Sequence, residues 1–196
     1  MVSMQFFTFW SVLMNHVMIK CLALAVLGSA LGCDKSDGPA TPLTCSFQLL
    51  NEQGQEATVF AQGQNIIFQF QITNPSAQNI VLNNPPIDVT HFLEVNRLTP
   101  GEGSSAIGKP YNNIFCTFQG GIGVPARSAI TLSIPWVENA AFPTSLYFCG
   151  GQHAKTTYLP AGRYRTSFTT PLTIIRADQP DVVTEAQTFT REFEVK

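Results

Sequence analysis

The chain has 196 residues, of which 44% are hydrophobic and only 12% are charged, and its net charge at pH 7 is −2. This balance argues against a nucleic-acid-binding protein, because such proteins present a basic face or stripe. The 15 phenylalanines exclude a disordered chain and are sufficient, with the aliphatic residues, for a hydrophobic core.

A short apolar run near the N-terminus has the composition of a secretory signal peptide. Lys20 precedes the run 21–32, which ends in small residues directly before Cys33. The run is shorter than the about 20 apolar residues that a membrane-spanning helix needs. A basic residue, an apolar stretch and a small-residue site are the order found in signal peptides. Residues 1–32 are therefore predicted to be a signal peptide outside the fold.

The residues at the end of this run resemble the lipobox of bacterial lipoproteins. In that motif small or apolar residues precede an invariant cysteine, and here it reads Ser29-Ala30-Leu31-Gly32-Cys33. The resemblance implies that the Cys33 thiol receives a diacylglycerol, that the leader is cut before it and that the new amino group is acylated. Several acyl chains give lasting attachment where one binds only marginally. The turn-rich residues 33–43 are then the lipidated cysteine and a flexible tether.

Two alternatives stay open for this segment: an ordinary cleaved leader with an unmodified Cys33, or an uncleaved helix. The first 17 residues contain no Lys or Arg, so a true start at Met14 or Met18 would give a more ordinary leader.

The lipobox resemblance also implies a location, a lipid-anchored position in the cell envelope with membrane lipid as a partner. In the Bacteroidetes, acidic residues near the lipidated cysteine resemble a surface-export signal, and Asp34 and Asp37 fit that pattern. In enterobacteria, an aspartate directly after the cysteine retains a lipoprotein at the inner membrane. The outer membrane or cell surface is favoured over the inner membrane.

Residues 44–196 are predicted to be one all-β domain. Four segments alternate apolar and polar residues with a period of two, the pattern of a half-buried strand. Their predicted inward residues are Ile66, Phe68, Phe70 and Ile72; Ile130, Leu132, Ile134 and Trp136; Tyr164, Thr166 and Phe168; and Phe189, Phe193 and Val195. Weaker strand candidates are 45–50, 79–82, 87–95, 111–118, 146–149 and 172–176. Turns rich in Pro and Gly separate these segments, so we expect an antiparallel sandwich or barrel of eight or nine strands.

Two motifs in this body resemble bacterial immunoglobulin-like sandwiches. One strand ends at Asn74-Pro75, and Pro160-Ala161-Gly162-Arg163-Tyr164 resembles the Gly-x-Tyr entry to a late strand of that fold. There the tyrosine bonds back to the corner that it leaves, and antibody domains have a cysteine two residues on, where this chain has Thr166. The resemblance implies an antiparallel immunoglobulin-like β-sandwich of about eight or nine strands.

Within that class, the order of residues is similar to the intracellular proteinase inhibitor domain of bacilli (BsuPI). The matching positions are 70–74, Asp88 with Phe92, Trp136, and Gly162 with Tyr164. Insertions at 101–110 and 140–159 interrupt the similarity. It implies, as an alternative function, protease inhibition through an exposed loop, for which 140–159 is the candidate.

Three cysteines remain in the body, Cys45, Cys116 and Cys149. The cell envelope permits disulfides, and Cys116 and Cys149 both lie in strand-like segments. We expect a Cys116–Cys149 disulfide with Cys45 as the odd thiol, and three buried free thiols are the alternative. No Cys-x-x-Cys or Cys/His cluster indicates a metal, and no cofactor is expected.

The two histidines of the body do not indicate a catalytic site. His91 has the parity of Ile87, Val89 and Leu93, which predicts a core or edge histidine. His153 follows a Gly-Gly pair and is expected to be a solvated loop residue. The sequence has no Gly-x-Ser-x-Gly nucleophile elbow, so no catalytic residue is predicted.

Two further motifs have ordinary explanations. The glycines of 120–123 precede Val124-Pro125 and another strand, whereas phosphate loops lead into a helix N-terminus, so we expect a loop between strands. Asp178, Asp181 and Glu185 match no calcium-loop spacing, so we expect a solvated acidic loop.

Three functional hypotheses follow. The leading one is a non-enzymatic cell-envelope lipoprotein, an immunoglobulin-like module tethered by Cys33 that binds an envelope protein or a glycan, or serves an assembly. The second is a protease inhibitor of the BsuPI type. The third is an enzyme with an unrecognised site around Asp88 and His91. Loops 101–108 and 139–143 are the longest plausible binding loops, but no particular binding residue is predicted.

Overall fold

The alternating segments of the sequence form strands. The computed structural model describes residues 43–83, 86–88, 90–101, 103–112, 120–144, 155–178 and 180–196, all within the compact unit Ala40–Lys196. These ranges contain twelve strands and no helix, which confirms the all-β prediction. The strands are β1 (Thr44–Leu50), β2 (Val59–Phe60), β3 (Ile67–Asn74), β4 (Ile80–Leu82), β5 (Glu94–Thr99), β6 (Gly103–Gly108), β7 (Ile122–Val124), β8 (Ser128–Pro135), β9 (Gly162–Thr170), β10 (Thr173–Ile175), β11 (Val182–Val183) and β12 (Gln187–Val195). Within the same ranges, no helical segment has the length and hydropathy of a membrane span.

The described strands form three sheets. Their orders are β1-β3-β8, β2-β12-β9-β5-β6 and β11-β10-β4-β7. The strand pairs are antiparallel except for β2, which runs parallel to β12. The expectation of a purely antiparallel fold is therefore corrected. The parallel pair arises because the chain leaves the first sheet after β1, adds two residues to the edge of the second sheet, and returns to the first sheet in β3.

The twelve described strands exceed the eight or nine that the sequence predicts. Five of them, β2, β4, β7, β10 and β11, have only two or three residues. A period of two cannot be recognised over so few positions. The short strand β7 also corrects the interpretation of 120–123, because residues 122–124 pair with β4 instead of forming only a loop.

Two further segments differ from their predicted structure. Residues 103–108, expected to be loop, form the full strand β6 against β5. In the segment 87–93, expected to begin a strand, residues 90–93 form a turn, and the strand begins only at Glu94. The turn forms because the Asp88 carboxylate accepts a hydrogen bond from the Thr90 N–H at 2.9 Å, which favours a turn over an extended chain.

The core lies between the first two sheets and is largely aromatic. Phe168 of β9 contacts Phe47 of β1 and Phe70 of β3, with ring centroids 4.9 and 5.6 Å apart and nearly perpendicular planes. It also contacts Phe92 at 4.6 Å and Phe189 at 5.3 Å. Such pairs are worth about 0.5–1.5 kcal/mol each beyond the area that they bury. These contacts show two sheets packed face to face.

The predicted inward residues form this core. All are buried except Phe189, which is half-buried. The alternation succeeds as a predictor here because successive side chains of a strand point to opposite faces of the sheet.

Asn74 ends β3, as its Asn-Pro motif predicts. Its fully buried side-chain amide donates to the carbonyl oxygens of Gln78, Val124 and Pro125 at 2.7–3.1 Å. Its Oδ1 accepts from the backbone N–H of Ser76 at 3.0 Å. The side chain thus takes over the hydrogen bonding where the proline stops the ladder, and it joins the turn after β3 to the turn before β8.

Candidate functional site

The outer face of the five-stranded sheet carries a cluster of charged side chains. Tyr164, Thr166 and Phe168 of β9 point into the core, so the alternating residues Arg163 and Arg165 must point to solvent. Leu98 of β5 lies opposite Arg163, and Ser104 of β6 lies opposite Leu98. Ser104, Leu98 and Arg163 therefore form a row across three neighbouring strands on the outer face.

One carboxylate is shared between the two arginines of this face. Arg165 donates to Glu192 Oε1 through Nε at 3.0 Å and through Nη2 at 2.5 Å, and Arg163 Nη2 lies 3.7 Å from Glu192 Oε2. The hydrogen bond and charge of Arg165, followed by the charge of Arg163, hold the pKa of Glu192 below its usual value. Glu194 lies opposite Arg163 on the same strand β12 and pairs with Lys196 at 3.3 Å, so three cations of this cluster face two carboxylates.

Two hollows flank the end of the β5–β6 hairpin. The first, of about 390 Å³, is lined by Leu98, Thr99, Pro100, Gly103, Ser104, Arg163 and Arg165. We call this hollow the arginine groove. The second, of about 540 Å³, is lined by Arg97, Leu98, Thr99, Pro100, Ser105, Gly162 and Arg163. The two hollows share Leu98, Thr99, Pro100 and Arg163, so they are neighbours at the same end of the sheet.

The turn before β9 is bonded both to itself and to β5. The Tyr164 hydroxyl donates to the carbonyl oxygen of Pro160 at 2.6 Å, as the Gly-x-Tyr resemblance implies. Arg97 Nη2 donates to the carbonyl oxygen of Ala161 at 3.0 Å. A Cβ atom at Gly162 would lie 3.1 Å from Arg97 Nε, so glycine permits this close approach. Burial raises the pKa of the Tyr164 hydroxyl, and the charge of Arg97 partly opposes that rise.

This arrangement is suited to holding an anion. Guanidinium groups stay protonated at all ordinary pH values and present fixed donors to carboxylates and phosphates. Leu98 and Pro100 add an apolar surface beside them. The groove therefore offers charge, hydroxyl groups and apolar contact, the mixture found in binding sites, rather than an acid–base pair.

The Asp88–His91 pair lies in an exposed turn, so the prediction of a core or edge histidine is wrong. The His91 side chain is 73% exposed, and its Nδ1 lies 2.8 Å from Asp88 Oδ2. The parity argument fails because these residues are not in a strand. The hydrogen bond with His91, followed by that from the Thr90 N–H, lowers the pKa of Asp88. The pair closes a turn. Lys109 Nζ donates a hydrogen bond to the Thr90 carbonyl oxygen in the same turn at 2.8 Å.

Cys45 is a free thiol packed against the core. Burial raises its pKa to about 11, so it stays protonated near neutral pH and is a poor nucleophile. A free Cys45 fits both the predicted Cys116–Cys149 disulfide and the alternative of three free thiols. Cys116 and Cys149, the predicted disulfide, and Cys33, the predicted lipidation site, lie outside the described residues, so both predictions stand as predictions. His153 and residues 145–154 of the candidate inhibitory loop 140–159 lie outside them as well.

Asp178, Asp181 and Glu185 are exposed, as predicted, but the short strand β11 lies between Asp181 and Glu185, so this segment is not all loop. Among the residues that the structure describes, no group of three or more His, Cys, Asp or Glu side chains could hold a metal ion.

Sequence reasoning missed the arginine groove. The alternation of β9 places Arg163 and Arg165 on its outer face, but Leu98 and Ser104 join them only through strand pairing. The one local signal is the Arg-x-Arg spacing in β9 with acidic residues at alternate positions of β12.

No family model and no curated protein matches this chain. Among solved structures, the chain is similar to a β-glucosidase from Listeria innocua in complex with gluconolactone, with 12% sequence identity and a TM-score of 0.26. The match covers 77% of this chain and 16% of the glucosidase. A similarity this weak supports no conclusion about fold or activity.

Proposed function

We propose that this protein is a non-enzymatic lipoprotein of the cell envelope. In this proposal an immunoglobulin-like β-sandwich is tethered to the membrane through Cys33 and binds an envelope protein or glycan. The observation that carries the binding role is the arginine groove, an open hollow lined by Arg163 and Arg165.

Strand order supports the immunoglobulin-like part of the proposal. In that fold one sheet contains strands A, B and E, and the other contains strands C, F and G, with C′ added beside C in variable-type domains. Here β1, β3 and β8 occupy the places of A, B and E, and β5, β6, β9 and β12 occupy those of C, C′, F and G. The Tyr164–Pro160 hydrogen bond adds a second point of agreement, because it resembles the tyrosine corner of that fold.

The groups of the groove favour binding over catalysis. Arginine cannot act as a general base near neutral pH, because the guanidinium group keeps its proton there. Glu192 is held in its charged form by Arg165 and Arg163, which suits a positioning carboxylate better than a proton-transferring one. The residues around the hollow are therefore suited to recognition.

The sequence of the leader supports the tether. Lipidation of Cys33 explains the short apolar run, the small residues before the cysteine and the turn-rich segment after it. Attachment by this route leaves the domain at the end of a polar linker of about ten residues, which would keep its sheet faces open to partners.

Labelling with radioactive palmitate in a bacterial host tests the tether. We expect label in the wild-type protein and none in Cys33→Ala. Cys21→Ala is the matched control, because Cys21 lies in the leader that is removed, and it should be labelled like the wild type. Label that persists in Cys33→Ala, or that is absent from the wild type, would overturn the assignment.

A further inference from the structure

The third sheet, β11-β10-β4-β7, has an apolar outer face, and we call it the end sheet. Leu82 of β4 is buried against the core, so Val81 beside it points to the other face. Strand pairing places Ile175 opposite Val81 on this outer face, and Val183 opposite Thr173. Val81 is 39% exposed and Val183 61%. Single apolar residues are normal on a protein surface, but these are neighbours across three adjacent strands.

The chain enters the sandwich at the end that carries this sheet. Strand β1 begins at Thr44, which pairs with Thr73. The next residue along β3, Asn74, donates through its side-chain amide to the carbonyl oxygen of Val124 at 3.1 Å, and Val124 is the last residue of β7. Paired strands are about 4.8 Å apart and consecutive Cα atoms about 3.8 Å apart. The beginning of β1 therefore lies close to the end sheet.

The arginine groove lies at the opposite end of the sandwich. Strand β9 begins at Gly162, directly before Arg163 of the groove, and ends at Thr170. Two residues separate Thr170 from β10 of the end sheet. At about 3.3 Å per residue, β9 spans about 26 Å. The length of this strand therefore separates the groove from the end sheet.

The predicted tether is shorter than this distance. Ten residues, 34–43, lie between Cys33 and Thr44. A flexible linker of ten residues has a root-mean-square span of about 16–19 Å. A domain anchored through Cys33 by such a linker would present the end sheet to the membrane and the arginine groove to solvent.

The charged residues next to the end sheet in sequence are of both signs. Arg127 and Arg176 are exposed, as are Asp178, Asp181 and Glu185. Two cations against three carboxylates leave no excess of positive charge, and an anionic lipid surface attracts basic segments and repels carboxylates. Zwitterionic headgroups present a cationic group beside the phosphate, so they are compatible with this border.

We propose that the end sheet rests on the surface of a zwitterionic lipid bilayer, with Val81, Ile175 and Val183 at the boundary between headgroups and acyl chains. Apolar side chains bind at this boundary because their surface is removed from water. The tether holds the domain at a high local concentration beside the membrane, so a weak contact is sufficient to orient it. The arginine groove then faces away from the membrane, where a partner can reach it. This inference rests on the proposed lipid anchor and names the surface on which the domain lies.

Quenching of tryptophan fluorescence by brominated lipids tests the proposal. The full chain is expressed in bacteria, purified from their membranes and reconstituted into phosphatidylcholine vesicles with or without bromine on the acyl chains. Val183→Trp places a reporter on the end sheet. Val59→Trp is the matched control, because Val59 is 52% exposed and lies opposite Glu194 on β2, at the end of the sandwich that carries the groove. We expect brominated lipid to quench Val183→Trp at least about twofold more strongly than Val59→Trp.

A second reporter keeps the test independent of one substitution. Thr173→Trp lies opposite Val183 on the same face and should be quenched to a similar extent. The buried Trp136 gives the same background in every variant. Thermal unfolding of each variant checks that the fold is retained.

Three results would overturn the proposal. The first is equal or stronger quenching of Val59→Trp relative to both end-sheet reporters. The second is shielding of the end-sheet reporters from aqueous iodide without quenching by brominated lipid, which would indicate a second copy or another protein on this face. The third is quenching that increases when phosphatidylglycerol is added, which would contradict the zwitterionic surface. Palmitate labelling of Cys33 is read on the same preparation, so failure of the orientation and failure of the tether are distinguishable.

Discussion

The Tyr164 hydroxyl donates a hydrogen bond of 2.6 Å to the carbonyl oxygen of Pro160, four residues earlier in the chain. The ring is buried and stacks on Phe193 of β12, with centroids 5.4 Å apart. The bond therefore fixes the turn before β9 to the core. Because β9 carries Arg163 and Arg165, this turn also sets the position of the arginine groove.

Removal of this hydroxyl should reduce stability. We expect Tyr164→Phe to lower the free energy of unfolding by about 1–2 kcal/mol, because the Pro160 carbonyl loses its donor while the ring keeps its packing. Urea denaturation monitored by fluorescence measures the change. Tyr158→Phe is the control, because Tyr158 is 39% exposed. Equal effects of the two variants would show that the bond contributes nothing.

Thr166 carries a buried hydroxyl that has no hydrogen-bond partner among the residues that the structure describes. It lies in β9 at the position where antibody domains have a cysteine. We expect Thr166→Val to raise the free energy of unfolding by about 1 kcal/mol, because it removes an unsatisfied polar group at nearly constant volume. Thr166→Ser keeps the hydroxyl and removes a methyl group, so it should destabilise the fold. A valine variant less stable than the wild type would contradict this account of the site.

Asn65 joins the beginning of β3 to the end of β8. Its fully buried amide donates to the Val137 carbonyl oxygen at 2.6 Å and accepts from the Val137 N–H at 3.0 Å. We expect Asn65→Ala to lower the free energy of unfolding by about 2–3 kcal/mol, because both backbone groups of Val137 lose their partner. Asn139 is the control, because its side-chain oxygen also accepts hydrogen bonds from backbone N–H groups, those of Ala141 and Phe142, but in an exposed turn. Asn139→Ala removes these hydrogen bonds where water can replace them. Its cost should be below about 1 kcal/mol, and thermal or urea unfolding compares the two.

The thiol content tests the predicted disulfide. If Cys116 and Cys149 are joined and Cys33 is lipidated, the denatured, unreduced mature protein should contain one reactive thiol, Cys45. Titration with Ellman's reagent measures this number, and a count of three would contradict the disulfide. In the native protein the thiol should react slowly at pH 8 and faster at higher pH, because burial raises its pKa to about 11.

The raised pKa of the Cys45 thiol also affects the stability of the fold at high pH. The pKa of Cys45 rises from 9.0 to about 11, so the folded state keeps a proton that the unfolded state loses. The unfolded state is therefore favoured progressively as the pH rises from about 9 to about 11, and below this range the group has no effect on stability. Cys45→Ala should remove this part of the pH dependence in urea melts at pH 8 and pH 10.5.

The long alternating strands could be predicted because the alternation of apolar and polar residues is visible within each segment of the sequence. Ile66, Phe68 and Phe70 lie on one face of an extended chain whatever the strand pairs with, and that face became the core. The end of β3 at Asn74 and the hydrogen bond from Tyr164 to Pro160 could also be predicted from the sequence, because both depend on residues within a few positions of each other.

The remaining features depend on pairing between distant segments or on competition with a turn. β6 consists of small residues without apolar alternation, and only its partner β5 makes it a strand. His91 shares the parity of a strand, but the Asp88 carboxylate stabilises a turn there instead. The arginine groove brings Leu98 and Ser104 beside Arg163 across three strands, and no local pattern contains that register.

The mass of the mature protein tests the central claim most directly. Purified from bacterial membranes and measured by intact mass spectrometry, the protein should begin at Cys33 and carry the added mass of a diacylglycerol, with or without a further acyl chain. Fragmentation should place that mass on the first residue. A chain that begins at Cys33 or elsewhere without added lipid, or one that keeps residues 1–32, would contradict the account.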